Sequence, residues 1–229
     1  DGNDLIGLAP VLAPLMPDVI FHAPNAPHPC EGNPFGYQWF GISRLDPAVA
    51  LAGVCAAAPL LDGFLDETMA EHGLDEEKTV LLGFSQGTMM ALHVGLRRRK
   101  RLAGIMGFPG MLAGAELLNG EIRHKPPVLL VHGDSDEMLP HLFSQQAALA
   151  LDGAGIGPGM GDDVVDGIVE RIEAEREPLA DAVAIGVRRC QQVGLCLACE
   201  FDHGHRGLAA VARRLAADEV VGLDGRGAF

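Results

Sequence analysis

The pentapeptide Gly83-Phe84-Ser85-Gln86-Gly87 constrains this chain more than any other feature. An apolar run, Thr79 to Phe84 (TVLLGF), leads into it, and a helix-patterned stretch, Gln86 to Arg97, leads out. A serine held between glycines at the junction of a buried strand and a helix sits in a tight, strained turn. Small residues two positions to either side avoid clashes in that turn. The turn is predicted to present the Ser85 hydroxyl at the carboxyl edge of a sheet. The backbone N–H of Gln86, at the helix start, is then placed to bind an oxyanion. A glycine-bounded turn with an ordinary serine is the plainer reading. The flanking strand and helix favour a nucleophile over it.

The rest of the chain alternates short apolar runs with longer helical stretches, which predicts parallel βαβ units: an α/β fold with a mostly parallel central sheet and helices on both faces. Asp4 to Leu15 reads as an amphipathic helix and Asp18 to His22 (DVIFH) as a strand, followed by the Pro-rich loop Ala23 to Pro34. Ala48 to His72 is an Ala-rich helical region that Pro59 is expected to kink or divide. Leu102 to Phe108 and Pro127 to Val131 are apolar throughout, as in strands covered on both sides. Asp152 to Gly161 reads as a Gly-rich linker that never satisfies G-x-G-x-x-G, so no dinucleotide site is predicted. Beyond it, 162–177 and 179–189 look helical, 193–201 like a last strand and 208–220 like a last helix. The 229 residues suffice for a single domain spanning 1–229.

A serine nucleophile needs a base, and the base needs an orienting carboxylate. In a chain ordered Ser, acid, His, the acid falls in His132-Gly133-Asp134-Ser135-Asp136, past the strand 128–131. Asp134 and Asp136 both qualify, and at least one of them is an ordinary turn residue; Asp136 is preferred. The base must lie further on. His205 is the first choice and His203 the alternative, since both follow the expected last strand. The same stretch offers Cys196, Cys199, His203 and His205 as zinc ligands, C-x-x-C-x-x-x-H-x-H. That spacing is tight, and the cysteines fall in an apolar run where thiols pack as small hydrophobes. No metal and no cofactor are expected.

The formal net charge of -14 disfavours nucleic acid and anionic membrane as partners. The one basic run, Arg97 to Arg101, is expected to complement a helix C-terminus and face water. Five cysteines, Cys30, Cys55, Cys190, Cys196 and Cys199, make no even disulfide framework. A reducing cytoplasm is the expected setting. Each apolar run is interrupted by Pro, Gly or a charge, so no membrane-spanning segment is expected. The oligomeric state stays open, a homodimer included.

These residues resemble the phospholipase/carboxylesterase family, which includes the acyl-protein thioesterases. The resemblance is carried by Asp1-Gly2-Asn3-Asp4-Leu5, Ala23-Pro24-Asn25-Ala26-Pro27, Gln38-Trp39-Phe40, Gly83 to Gly87 and His132 to Asp136, over about residues 1–150. It implies an α/β-hydrolase with little or no lid, acting on carboxylic esters or thioesters through an acyl-enzyme. It matches Ser85 to the nucleophile, Asp136 to the triad acid, and Trp39 and Phe40 to a segment beside the active-site groove. Half-buried packing is the competing role for Trp39. An acyl chain would lie near Trp39, Phe40, Met89 and Met111. Two departures stand out. The family's opening strand, whose His-Gly-x-Gly end supplies a second oxyanion donor, is expected before Asp1. The interval from Asp136 to His205 is also far longer than the family's, so 153–190 reads as an insertion, or the sequence after about 150 as foreign to the fold. Two other readings compete: a dienelactone-hydrolase-like enzyme, which would carry Cys at position 85, and a non-catalytic or truncated scaffold.

Overall fold

The structure, a computed structural model, describes residues 2–15, 18–31, 33–41, 46–132, 136 and 138–156. The elements expected beyond 156 lie outside these residues, as do His203, His205, Asp134 and the Cys-His stretch.

Three strands form a parallel sheet in the order β3-β4-β5: β3 (Val80–Gly83), β4 (Gly104–Gly107) and β5 (Val128–Leu130). These are the three apolar runs of the sequence, shortened at each end. Between β3 and β4 lies helix α4 (Gln86–Gly95), and before β3 the long α3 (Pro47–His72). The two helices pack on each other, and α4 packs on β3 and β4. One core cluster joins Val54, Leu61 and Leu65 of α3, Leu92 of α4, Leu81 of β3 and Ile105 of β4.

Helix α3 has clear local causes. The Asp46 carboxylate accepts from the N–H groups of Ala48 (2.8 Å) and Val49 (3.4 Å), and Pro47 occupies the first turn, where no N–H is needed. Gly73, at φ 66°, ends it. Ala50, Val54, Ala57, Leu61, Leu65 and Met69 form its buried stripe at helical spacing. Pro59 is exposed and does not divide the helix, contrary to expectation. Unbroken, α3 becomes the one helix among the described residues long and apolar enough to cross a membrane, with a window of mean hydropathy 1.9. This corrects the reading that no apolar run reaches that length. Its buried stripe nonetheless belongs to the core cluster.

The basic run is also corrected in part. The Arg97 guanidinium does donate to the His93 carbonyl near the end of α4. Arg98, however, is only 4% exposed. It reaches Asp62 and Asp66 of α3 and Glu76 before β3, pinning the helix to the sheet. Three carboxylates around one cation make its burial tolerable.

The N-terminal region departs most from expectation. The helix read over 4–15 is broken into α1 (Gly2–Ile6), α2 (Ala9–Leu12) and a short 3₁₀ turn. Residues 19–26 carry no strand, against the DVIFH reading. A strand exists only with a partner, and no described segment bonds to this one in a ladder. Instead, the Pro-rich stretch holds an antiparallel ribbon, β1 (His28–Cys30) with β2 (Asn33–Gln38). Helix α5 (Leu118–Glu121) precedes β5. Helix α6 (Leu142–Gly153) follows it and absorbs Asp152 and Gly153, the start of the expected linker.

Candidate active site

Because β3, β4 and β5 run parallel, their carboxyl ends share one edge of the sheet. Ser85 follows β3, Pro109 and Gly110 follow β4, and Asp136 follows β5. Two of the predicted site residues are therefore brought to a single edge, where open parallel sheets bind their ligands.

Ser85 has φ 54° and ψ −117°, and it is the only non-glycine residue with positive φ among those described. Such a backbone costs on the order of 1–3 kcal/mol and persists only when its surroundings fix it. The fixing contacts are explicit. The Ser85 N–H donates to the Pro109 carbonyl at 2.9 Å. The Gly87 N–H donates to Phe84 O at 2.8 Å and the Thr88 N–H to Ser85 O at 3.0 Å. Thr88 Oγ1 lies 2.8 Å from the Gly83 carbonyl and 2.5 Å from that of Phe108, bridging the ends of β3 and β4. A Cβ on Gly83 would stand 2.3 Å from the Gly87 carbonyl oxygen, so only glycine fits there. A Cβ on Gly110 would stand 2.4 Å from Thr88 Cβ, which explains the small residue after β4.

Gln86 opens α4, where position leaves its N–H without an intrahelical acceptor. Its side chain is 1% exposed and faces away into the protein. Oε1 accepts from the Trp39 N–H at 3.0 Å, and Nε2 donates to the Phe40 carbonyl at 2.7 Å. Trp39, Phe40, Met89 and Met111 are all buried within the core cluster. The Trp39 indole N–H finds no partner among the described residues. The Phe40 ring lies where a Cβ on Gly53 of α3 would stand, 2.3 Å from Phe40 Cδ2.

Asp136 has a side chain only 2% exposed. Its Oδ1 accepts from the N–H groups of Met138 (2.8 Å) and Leu139 (2.9 Å), tying Asp136 to the residues that lead into α6. Its Oδ2 stands 3.6 Å from His132 Nε2. His132 Nε2 also lies 2.8 Å from the Leu139 carbonyl, and Nδ1 lies 2.6 Å from Ser144 Oγ at the start of α6. A carbonyl only accepts, so Nε2 carries the proton and a neutral ring accepts at Nδ1 from the Ser144 hydroxyl. Burial pushes the His132 imidazole below its usual range, outweighing the Leu139 carbonyl and Asp136, which act the other way. Ser144 Oγ also stands 3.4 Å from Gly110 O, which sets this group beside the residues that follow β4.

Sequence reasoning missed the roles of Thr88, His132, Ser144 and the Gln86 side chain. A polar Thr in a helix turn packed under two strands was the available signal for the first. No group of three or more potential metal ligands occurs among the described residues.

Residues 9–163 match the model of a family described as phospholipase/carboxylesterase. The chain belongs to the phospholipase/carboxylesterase family. Among curated relatives of this family member, acyl-protein thioesterase 1 of Emericella nidulans is 28% identical over 152 residues, 58% of this chain and 63% of the relative. Esterase YpfH of Escherichia coli is 27% identical over 168 residues, 69% of this chain and 68% of the relative. Acyl-protein thioesterase 1 of Schizosaccharomyces pombe is 33% identical over 102 residues, 43% of this chain and 45% of the relative. The match thus spans less than two thirds of the two thioesterases' own lengths. The crystal structure of esterase PE8 aligns with TM-score 0.66 and 42% identity, covering 76% of this chain and 86% of that one. The family member therefore has the α/β-hydrolase fold, with β3, β4 and β5 as part of its central sheet.

Proposed function

We propose that this chain is a serine hydrolase of carboxylic esters or thioesters that works through an acyl-enzyme. The observation that carries the reading is the backbone of Ser85, held at positive φ between β3 and α4 on the edge that also receives Asp136. In this mechanism Ser85 Oγ attacks the carbonyl carbon while His205, or His203 in its place, takes the hydroxyl proton. The Gln86 N–H stabilises the oxyanion. Collapse of the tetrahedral intermediate breaks the ester or thioester bond, and the histidine returns the proton to the leaving alcohol or thiol. Water then attacks the acyl-serine by the same route. Asp136 holds the imidazole in the tautomer that can accept from Ser85. In this mechanism the acyl chain lies near Trp39, Phe40, Met89 and Met111, whose side chains are packed in the core cluster rather than open to solvent. The relatives named as thioesterases and esterases support this substrate class.

A fluorophosphonate probe labels only an activated serine. Labelling of the chain at Ser85, with p-nitrophenyl ester turnover that disappears in Ser85→Ala, is the expected result. Undiminished turnover by Ser85→Ala overturns the assignment; a small residual rate from the oxyanion site does not.

A further inference from the structure

We propose that the carboxamide of Gln86 is a positioning residue for this reaction, mooring the first turn of α4, and with it the oxyanion donor and Ser85, to the backbone of Trp39 and Phe40. The inference rests on the serine hydrolase reading. It goes beyond that reading because the reading uses only the Gln86 N–H.

The geometry has three parts. First, the carboxamide satisfies both of its ends on main-chain groups: it accepts from the Trp39 N–H at 3.0 Å and donates to the Phe40 carbonyl at 2.7 Å. These partners are 47 and 46 positions away in the chain, so the bonds tie separate segments together. Second, the far end is a firm anchor. Trp39 and Phe40 are both buried, and the Phe40 ring rests on Gly53 of α3. Third, the near end needs an anchor, because the neighbouring Ser85 holds a backbone that would relax without restraint. Ser85 N–H to Pro109 O and the Thr88 hydroxyl restrain it on the β4 side. Gln86 supplies the restraint on the side of β2. An apolar side chain of equal length would fill the space but leave two buried backbone groups unpaired.

A placement role makes a distinctive prediction for Gln86→Glu, which is nearly isosteric. The ionised carboxylate still accepts from Trp39 but opposes the Phe40 carbonyl. The protonated acid donates to that carbonyl and restores the original pattern. Burial raises the acid's pKa into an accessible range. Relative to the parent chain at the same pH, kcat for a p-nitrophenyl ester is expected to fall by about tenfold to a hundredfold at pH 8, with KM changed far less. The kcat ratio of variant to parent should then recover as pH falls. Taking the ratio cancels the titration of the catalytic base. Trp39 is the chain's single tryptophan, so its fluorescence reports the anchor directly. In Gln86→Glu the emission should titrate together with the kcat ratio.

Gln86→Met, which retains the backbone N–H, is the second variant: it should lose kcat with a ratio and an emission that stay flat with pH. A pH-independent ratio in Gln86→Glu overturns the proposal, as does a loss confined to KM, or parent-like kcat in both variants. An unfolded Gln86→Glu at pH 8 that refolds at low pH without recovering kcat also overturns it. Failure of the underlying reading is seen separately, as a parent chain that takes no fluorophosphonate label.

Discussion

Ser144 Oγ stands 2.6 Å from His132 Nδ1, and the other nitrogen of the same ring faces both the Leu139 carbonyl and Asp136 Oδ2. The first turn of α6 therefore sets the ring that lies against the proposed triad acid. Ser144→Ala removes the only described donor to a buried lone pair. The expected cost is about 1–2 kcal/mol of stability, measured as a lowered urea midpoint. Because burial holds His132 below its usual range, its neutral form is the native one. That contribution is complete above the unfolded pKa of about 6.5 and is lost as pH falls through the lower folded value. Nitrogen NMR of the ring should show Nε2 protonated and Nδ1 bare at pH 8. The reverse tautomer would overturn the assignment.

Asp136 accepts two main-chain N–H groups through Oδ1; in the proposed mechanism its Oδ2, already 3.6 Å from His132 Nε2, also receives the catalytic imidazole. Asp136→Asn keeps its oxygen on the two N–H groups only by turning its NH₂ toward that imidazole, which favours the wrong tautomer. A kcat loss of several orders of magnitude, about 10⁴-fold in comparable triads, is expected. Asp134→Asn should cost much less. If steady-state kinetics give the reverse order, the acid is Asp134.

Thr88 Oγ1 spans the Gly83 and Phe108 carbonyls at the ends of two adjacent strands. Thr88→Val keeps the shape and removes the hydroxyl, leaving buried carbonyls with one partner fewer. About 1–3 kcal/mol of stability should be lost. Ser85 stands beside this bridge, so fluorophosphonate labelling should slow as well. A Thr88→Val chain with parent-like thermal midpoint and labelling rate would show the bridge to be dispensable.

How much of this was legible in the sequence depends on distance along the chain. The Ser85 turn and strands β3, β4 and β5 were readable because glycine spacing and continuous apolar runs are local signals. The β1–β2 ribbon was not, because Pro29 and Pro34 argue against strands, yet an isolated ribbon has edges where proline is tolerated. DVIFH had a strand's composition, but composition does not supply a partner. Arg98 looked like part of a solvated charge run, since Asp62, Asp66 and Glu76 reach it only after α3 folds back. The Gln86 side chain was invisible for the same reason. Of the proposed site, Ser85 and Asp136 follow β3 and β5 among the described residues, while His205 and His203 lie outside them.

His93 of α4 gives the sharpest pH test of the core. The ring is buried, its Nδ1 has no partner among the described residues, and its Nε2 lies 4.0 Å from Cys55 Sγ. Burial is the main cause, and nearby Arg97 a second, that lower its pKa to about 4, against a smaller opposing effect of Glu121. The sign follows from proton binding. Above about pH 6.5 the ring is neutral in both folded and unfolded chains, and stability from this group does not vary. Below that value the unfolded chain takes up a proton that the native chain refuses until about pH 4. Stability should therefore fall with pH across this window, by at most about 3 kcal/mol from His93 alone. His22 and His132, also lowered by burial, add slopes of the same sign. His93→Phe, which keeps an aromatic ring and cannot titrate, should remove the His93 share. Urea midpoints at pH 7 and pH 4.5 measure it: the difference between the two should shrink in the variant. An unchanged difference would mean that His93 takes its proton in the folded chain as readily as in the unfolded one.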